Sequence, residues 1–369
     1  SVELLTKVNL SHYQMLGELE KIFKKWSPAI FIGWSNIGFD DEMIRKEFFK
    51  GIRYPYITNS SPNKRHDGLN IARAAYAVDS SILNTEINEK GNAVMKLESL
   101  ARMNGFESSG AHSALFDAEL TLKILGLIKK KQPDTWDAFL QTANKLDTET
   151  IFKKEKIITL NEYFYGKSRL YLCAPLHPKN CIHPVYQWGQ VVDLRVDVEQ
   201  LFNLSINELK LEMKKTPKFL RTIRSNKAPI ILDPSYGMKI EPYNAIDPSL
   251  IKKRAELVKN NEKFSKNIII ALREIAEEKD QLKSQEDIYA EESIYTKFTP
   301  NKDTNLFPLW HKATWKDKLQ MLDKFEDDRL VGFGKKIIYQ ESPETLSADM
   351  CKSIKKEIAE RILSENKEK

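Results

Sequence analysis

The sequence predicts a three-part chain with a mixed α/β segment at residues 1–145, a β-rich segment at 146–250 and a helical segment at 251–369. Three observations carry this division. The first segment alternates helical periodicity with one short apolar run. The second holds several short stretches of β-branched and aromatic residues punctuated by Pro and Gly. The third is dense in Lys and Glu at helical spacing. At 369 residues, with 41% hydrophobic and 30% charged residues, the chain has the profile of an ordinary globular protein rather than a disordered one.

Within the first segment, "SHYQMLGELEKIFKKW" opens with a capping box of Ser11 and Gln14. It carries Met15, Leu16, Leu19, Ile22, Phe23 and Trp26 along one face, the pattern of an amphipathic helix. "AIFIGWSN" is a short apolar run ending in a turn and reads as a buried strand of a covered sheet. "DDEMIRKEFF", "GLNIARAAYAV" and "MKLESLARMNG" read as helices, the last stopped by Asn104-Gly105. "AHSALFDAELTLKILGLIKKK" reads as the longest helix, closed by three lysines and Pro133. In the second segment "RLYLCAPL", "VYQWGQVVDL", "FLRTIR" and "APIILD" suggest a small antiparallel barrel. Its inserted helix, "SINELKLEMKK", starts on Ser205 and Glu208. In the third, "NNEKFSKNIIIALREIAEEKDQ" reads as a packed helix rather than a partner-binding one.

Composition excludes little and permits much. No run of eighteen apolar residues occurs, so no membrane span is expected. Cysteines at 173, 181 and 351 cannot pair evenly and form no CxxC, which favours a reducing cytoplasm. A net charge of +6 permits a polyanionic partner without demanding one. "CAPLHPKNCIHP" holds zinc-type ligands, but intervals of three, three and one residues fit no usual finger or knuckle, and a plain loop is the expectation.

The chemistry centres on "GAHSALFDAEL", where His112 stands five positions before Asp117 at the start of a helix. Phosphodiester hydrolysis by two cations needs carboxylates to hold them about 4 Å apart and a base to take a proton from water. Hard Mg²⁺ prefers carboxylate oxygens, and imidazole titrates near neutrality. Asp40 follows the apolar run and its turn, where strand ends in α/β folds expose functional groups. Read alone, Asp40 and Asp41 fit equally well as carboxylates satisfying a helix N-terminus.

Taken together and in order, "GWSNIGFDDEMIRKEFF", "LESLARMNGFESSGAHSALFDAELTLKILGLIKKKQP" and "APLHPKN…VVDL" resemble the bacterial exonuclease I family. These are DEDDh enzymes that digest single-stranded DNA from the 3′ end. The resemblance implies an RNase H-like exonuclease domain over 1–145, an SH3-like domain over 146–250 and a C-terminal helical domain over 251–369. It implies that Asp40 and Asp117 are metal-binding carboxylates and His112 the general base, with Mg²⁺ (or Mn²⁺) as cofactor. Arg45, Tyr56 and Arg73 fall where the family lines the path of the strand. Lys96 replaces a substrate-contacting arginine, keeping the charge but losing the bidentate fork. Lys145, Arg221 and Asn226 match outer DNA contacts, Arg221 in place of a lysine, and Ser60 stands where the family stacks a tryptophan. The implied partners are single-stranded DNA and the C-terminal tail of single-strand-binding protein, and the implied state is a monomer. Two alternatives stay open: a DEDDh enzyme acting on RNA, and a non-catalytic single-strand-binding fragment.

One departure stands out. The family's first motif, an Asp-x-Glu on the opening strand, is missing. Only 32 residues precede Gly33, and they read as a helix and its flanks. The nearby Asp147–Glu149 of "LDTE" reads as a solvated turn. The expectation is therefore a truncated nuclease domain, impaired in catalysis, whose opening helix leaves an apolar face exposed.

Overall fold

A computed structural model describes residues 7–107, 113–281 and 288–365. The chain divides into two compact units, one of Ser1–Ala29, Phe39–Asn63 and Glu286–Lys369, the other of Ile30–Gly38 and Lys64–Gln285.

The first unit is helical. Its opening helix, His12–Trp26, carries the expected reciprocal capping box between Ser11 and Gln14. Leu16 and Phe23 are buried, whereas Met15, Ile22 and Trp26 remain 41%, 41% and 58% exposed, so part of the apolar face is left to solvent. Helix Asp40–Lys50 contributes Phe49 to a core shared with helices Asn301–Lys312, Trp315–Met321, Asp328–Glu341 and Ala348–Glu365. Trp310, Phe333 and Ile338 lie at its centre, and Gly334 lets that helix approach because a Cβ there would strike Leu322 and Trp310.

The second unit holds two sheets. In the smaller, β1 (Ile30–Gly33) runs parallel to β2 (Lys64–Asp67), pairing Ile30 with Lys64 and Gly33 with Asp67. The reading of β1 as a buried strand is corrected here. Ile30 is 40% exposed and its three successors are half-buried, while the polar β2, "KRHD", has three buried residues. Helices Gly68–Val78, Leu97–Met103, Ala114–Lys131 and Pro133–Leu140 close a core around Ile71, Leu100, Ile124 and Phe139. The helix at 114–131 has 18 residues and is not the longest, since Glu262–Gln281 has 20. "LDTE" is also corrected. It opens helix Lys145–Lys154, where the Asn144 side chain caps the Asp147 amide and Lys64 pairs with the Asp147 carboxylate at 2.7 Å.

The larger sheet has five antiparallel strands in the order β6-β5-β4-β3-β7: β3 Ile158–Phe164, β4 Lys167–Pro175, β5 Gly189–Asp193, β6 Leu220–Ile223 and β7 Ile230–Leu232. Four match the expected stretches, and β3 is an addition. Among the described residues no pairing joins β6 to β7, so the sheet has two edges instead of the closed ring expected of a barrel. Helix Ile206–Glu212 carries its Ser205–Glu208 capping box. Leu172, Val191, Val192 and Ile231 form a core with Ile251, Val258, Phe264 and Ile268 from helices Pro248–Asn260 and Glu262–Gln281. Lys259 reaches back from the first of these. Its Nζ donates to the carbonyls of Phe152, Lys153 and Glu155 at 3.1, 2.8 and 2.9 Å and closes the end of helix Lys145–Lys154. Among the described residues no helix is long and apolar enough to cross a membrane.

Candidate functional site

The carboxylates singled out by sequence stand at helix starts, one in each unit. Asp40 is the first residue of helix Asp40–Lys50 in the first unit. Its side chain is exposed and Phe39 provides no side-chain cap. Asp117 lies in the first turn of helix Ala114–Lys131 in the second unit and is half-buried. Both positions favour negative charge through the helix dipole. Packing fixes the second helix against the parallel strands. A Cβ on Gly68, just after β2, would meet the Gly33 carbonyl at 3.1 Å and both Thr121 and Trp34 at 3.3 Å. Thr121 stands one turn beyond Asp117 and donates to its carbonyl at 2.8 Å. Asp117 therefore sits near the carboxyl ends of the parallel strands, where α/β folds gather ligands. His112, the expected base, lies outside the described residues.

A further carboxylate of the second unit, Asp67, was not singled out by the sequence. Asp67 ends β2, and its Oδ1 accepts from the amides of Ser35 at 3.0 Å and Leu69 at 2.9 Å. Burial raises its pKa. The first bond ties the turn after β1 to the end of β2, and the second caps helix Gly68–Val78. Its neighbour His66 is fully buried, and burial pushes its pKa down to about 4.

Some expected strand-lining residues meet and others stand apart. Arg45 and Tyr56, both in the first unit, come together with the guanidinium 5.2 Å from the ring centroid. Arg45 is only 5% exposed and donates to Glu42 at 2.8 Å and to the Tyr295 hydroxyl at 2.7 Å. In the second unit, half-buried Arg73 lies 3.5 Å from the ring centroid of Tyr163, a partner the sequence reading missed. The run "YFYG" between two strand-like stretches was the available signal. Lys96 is exposed at the N-cap of helix Leu97–Met103. Lys145, also exposed, opens its helix 3.6 Å from Glu149.

Arg221 departs from the expectation of an outer contact. It is 8% exposed, donates to Asp193 at 3.0 Å and Glu162 at 2.5 Å, and lies 3.1 Å from the Tyr171 ring centroid. Asp193, fully buried, also accepts from Arg195 Nε at 2.9 Å and from the Tyr243 hydroxyl at 2.6 Å. Arg221 is thus an internal strut of the large sheet. Asn226 is exposed, and its backbone carbonyl accepts from Arg65 at 2.8 Å.

A hard cation suits the carboxylates by donor chemistry, yet no group of three His, Cys, Asp or Glu side chains able to hold a metal occurs among the described residues. The described residues therefore do not complete a metal site. In the zinc-like loop, Cys173 and Cys181 are buried, and His183 Nδ1 accepts from the amides of Val185 and Tyr186.

No family model matches the chain. Curated proteins do. Exodeoxyribonuclease I of Buchnera aphidicola from Acyrthosiphon pisum is 30% identical over 258 residues, which is 66% of this chain and 60% of that protein. The Haemophilus influenzae protein of the same name is 27% identical over 314 residues, 81% of this chain and 65% of the relative. This chain is similar to bacterial exodeoxyribonuclease I. It spans less than two thirds of the length of these curated relatives. Solved structures of Escherichia coli exonuclease I share the fold. The complex with a dT13 oligonucleotide superimposes with a TM-score of 0.71 at 20% identity, covering 93% of this chain and 74% of the other. The complex described as ExoI/SSB-Ct gives 0.72 at 20% identity, with coverages of 93% and 73%. The broad architecture, α/β with an antiparallel sheet and further helices, is that of exonuclease I.

Proposed function

We propose that this chain serves processive 3′→5′ hydrolysis of single-stranded DNA to nucleoside 5′-monophosphates, in repair and recombination. The observation that carries the reading is the 30% identity over 258 residues to a protein named for that activity. In this reading residues 1–145 are the RNase H-like nuclease domain, 146–250 the SH3-like domain and 251–369 the helical domain. Strands β3 to β7, all between 158 and 232, support the middle assignment. Asp40 and Asp117 are the cation-binding carboxylates and His112 the base, with a divalent cation, Mg²⁺ or Mn²⁺, as cofactor. Partners are an unpaired strand and the C-terminal tail of single-strand-binding protein, as in the oligonucleotide complex of the E. coli enzyme and the ExoI/SSB-Ct complex. Three free cysteines agree with a cytoplasmic setting.

The test is digestion of a 5′-labelled DNA oligonucleotide by the purified chain with Mg²⁺ or Mn²⁺. A ladder shortening from the 3′ end is expected, and Asp40→Asn, Asp117→Asn and His112→Ala should each lower the rate at least about 100-fold. Faster digestion of the matching RNA would replace the substrate assignment. A second reading, single-strand binding without turnover, is favoured by the absence, among the described residues, of a group of three side chains able to hold a metal. Salt-sensitive binding with no cleavage at any cation concentration would establish it.

A further inference from the structure

The hairpin joining β3 and β4 ends in "YFYGK", residues 163–167. Its two-residue turn, Tyr165-Gly166, has φ of 49° and 76° at the two positions, the left-handed geometry of a tight hairpin turn. Gly166 is required there because a Cβ would also strike the Asn92 side chain. The turn holds three aromatic side chains in solvent. Tyr163 is 44% exposed, Phe164 52% and Tyr165 83%. Packing alone gives no reason to keep them there, since exposed aromatic rings forgo the burial that stabilises them elsewhere.

Their surroundings point to one kind of occupant. Cations are interleaved with the rings: Arg73 lies on Tyr163, Lys167 pairs across the strands with Phe164, and Arg169 donates to the Phe164 carbonyl at 2.8 Å. The carboxylate in this stretch, Glu162, is already matched by Arg221 at 2.5 Å. The Phe164 and Tyr165 rings stand 4.1 Å apart and tilted by 57°, held as a pair at the tip. Rings that offer faces to solvent, flanked by positive charge, suit unpaired bases on an anionic backbone.

We propose that the hairpin tip is a stacking station for single-stranded nucleic acid. Phe164 and Tyr165 receive bases, and Lys167 and Arg169 receive the adjoining phosphates. Arg73 holds Tyr163 in place and acts as a positioning residue. The proposal rests on the single-strand reading above but adds contacts that reading does not contain.

The experiment measures binding of the full chain to a fluorescent oligo-dT by anisotropy across a salt series, without divalent cation. Phe164→Ala with Tyr165→Ala should weaken binding by roughly 10- to 100-fold with an unchanged salt slope. Lys167→Gln should lower the slope by about one. An oligonucleotide of abasic sites should bind the wild type and the double variant alike, which a fold defect would not produce. The conservative pair Phe164→Tyr and Tyr165→Phe should keep full affinity. Wild-type affinity in the double variant overturns the station and leaves the single-strand reading intact. Failure of the wild type to bind at low salt overturns both. If the alanine pair binds oligo-dT normally but loses capture of a protein, the tip is a protein-docking surface and the proposal is wrong.

Discussion

The two sheets of the second unit bury their strands by opposite rules. In the five-stranded sheet burial follows apolarity, with Leu172, Val191 and Val192 fully enclosed and Ile231 at 1%. In the parallel pair the apolar strand Ile30–Gly33 is the more exposed and the polar Lys64–Asp67 the more enclosed. Arg65 is held by hydrogen bonds, its amide to the Ala143 carbonyl and its guanidinium to Asn226, and Asp67 by two amides. Hydrophobic burial holds the first sheet, and the hydrogen bonds of Arg65 and Asp67 hold the second. Even the charges follow this contrast. The large sheet buries Asp193 and Arg221 as one compensated cluster, whereas Asp40 and Asp117, the site candidates, remain reachable by water.

The largest effect expected from this contrast falls on that cluster. Asp193→Ala removes the acceptor for Arg221, Arg195 and Tyr243, leaving a buried guanidinium with one carboxylate fewer. A loss of about 3–5 kcal/mol is expected in urea unfolding. A loss under about 1 kcal/mol would show that water reaches the cluster and that the sheet is less sealed than its apolar core implies.

The polar strand responds to pH. His66 in β2 and His311 in the first unit have pKa values pushed down to about 4, in both cases chiefly by burial, from an ordinary 6.5. Between those values the unfolded chain binds more protons than the folded one. This contribution is therefore complete above pH 6.5 and is lost as pH falls towards 4. Each histidine should account for roughly 2 kcal/mol of the drop between pH 7.5 and pH 5. His66→Asn should remove roughly half of their joint slope, read from urea midpoints at the two pH values. An unchanged slope would mean that β2 opens to water before the unit unfolds.

The smallest effect belongs to the exposed strand. Ile30→Ala should cost under about 1 kcal/mol, because a side chain 40% in solvent loses little on truncation. A cost above about 2 kcal/mol in urea unfolding would place β1 in the same class as the large sheet.

Legibility in the sequence follows the same division. Both capping boxes, the helix starting at Asp40 and four of the five antiparallel strands could be read directly, because local hydrogen bonding and β-branched residues determine them. Strand Lys64–Asp67 could not, since "KRHD" has neither apolar character nor alternation and becomes a strand only through its pairing with β1. Strand Ile158–Phe164 was obscured by Asn161 and Glu162 in mid-strand, whose partners come from elsewhere in the sheet. Arg221 read as a surface cation because the carboxylates that permit its burial are 28 and 59 positions away. The positions of Asp40 and Asp117 at helix starts were legible. Their different degrees of exposure, and the Gly68 contact that seats the second helix, were not.

Lys259 carries a consequence for dissecting the molecule. A single ammonium gathers the last carbonyls of the helix at 145–154, and it is rooted in a helix whose Ile251, Ala255 and Val258 plug the core of the sheet. A fragment ending at residue 250 would lose this clasp and the plug in one cut. A piece that keeps this core with the five strands has to reach residue 281, so that Phe264 and Ile268 travel with it.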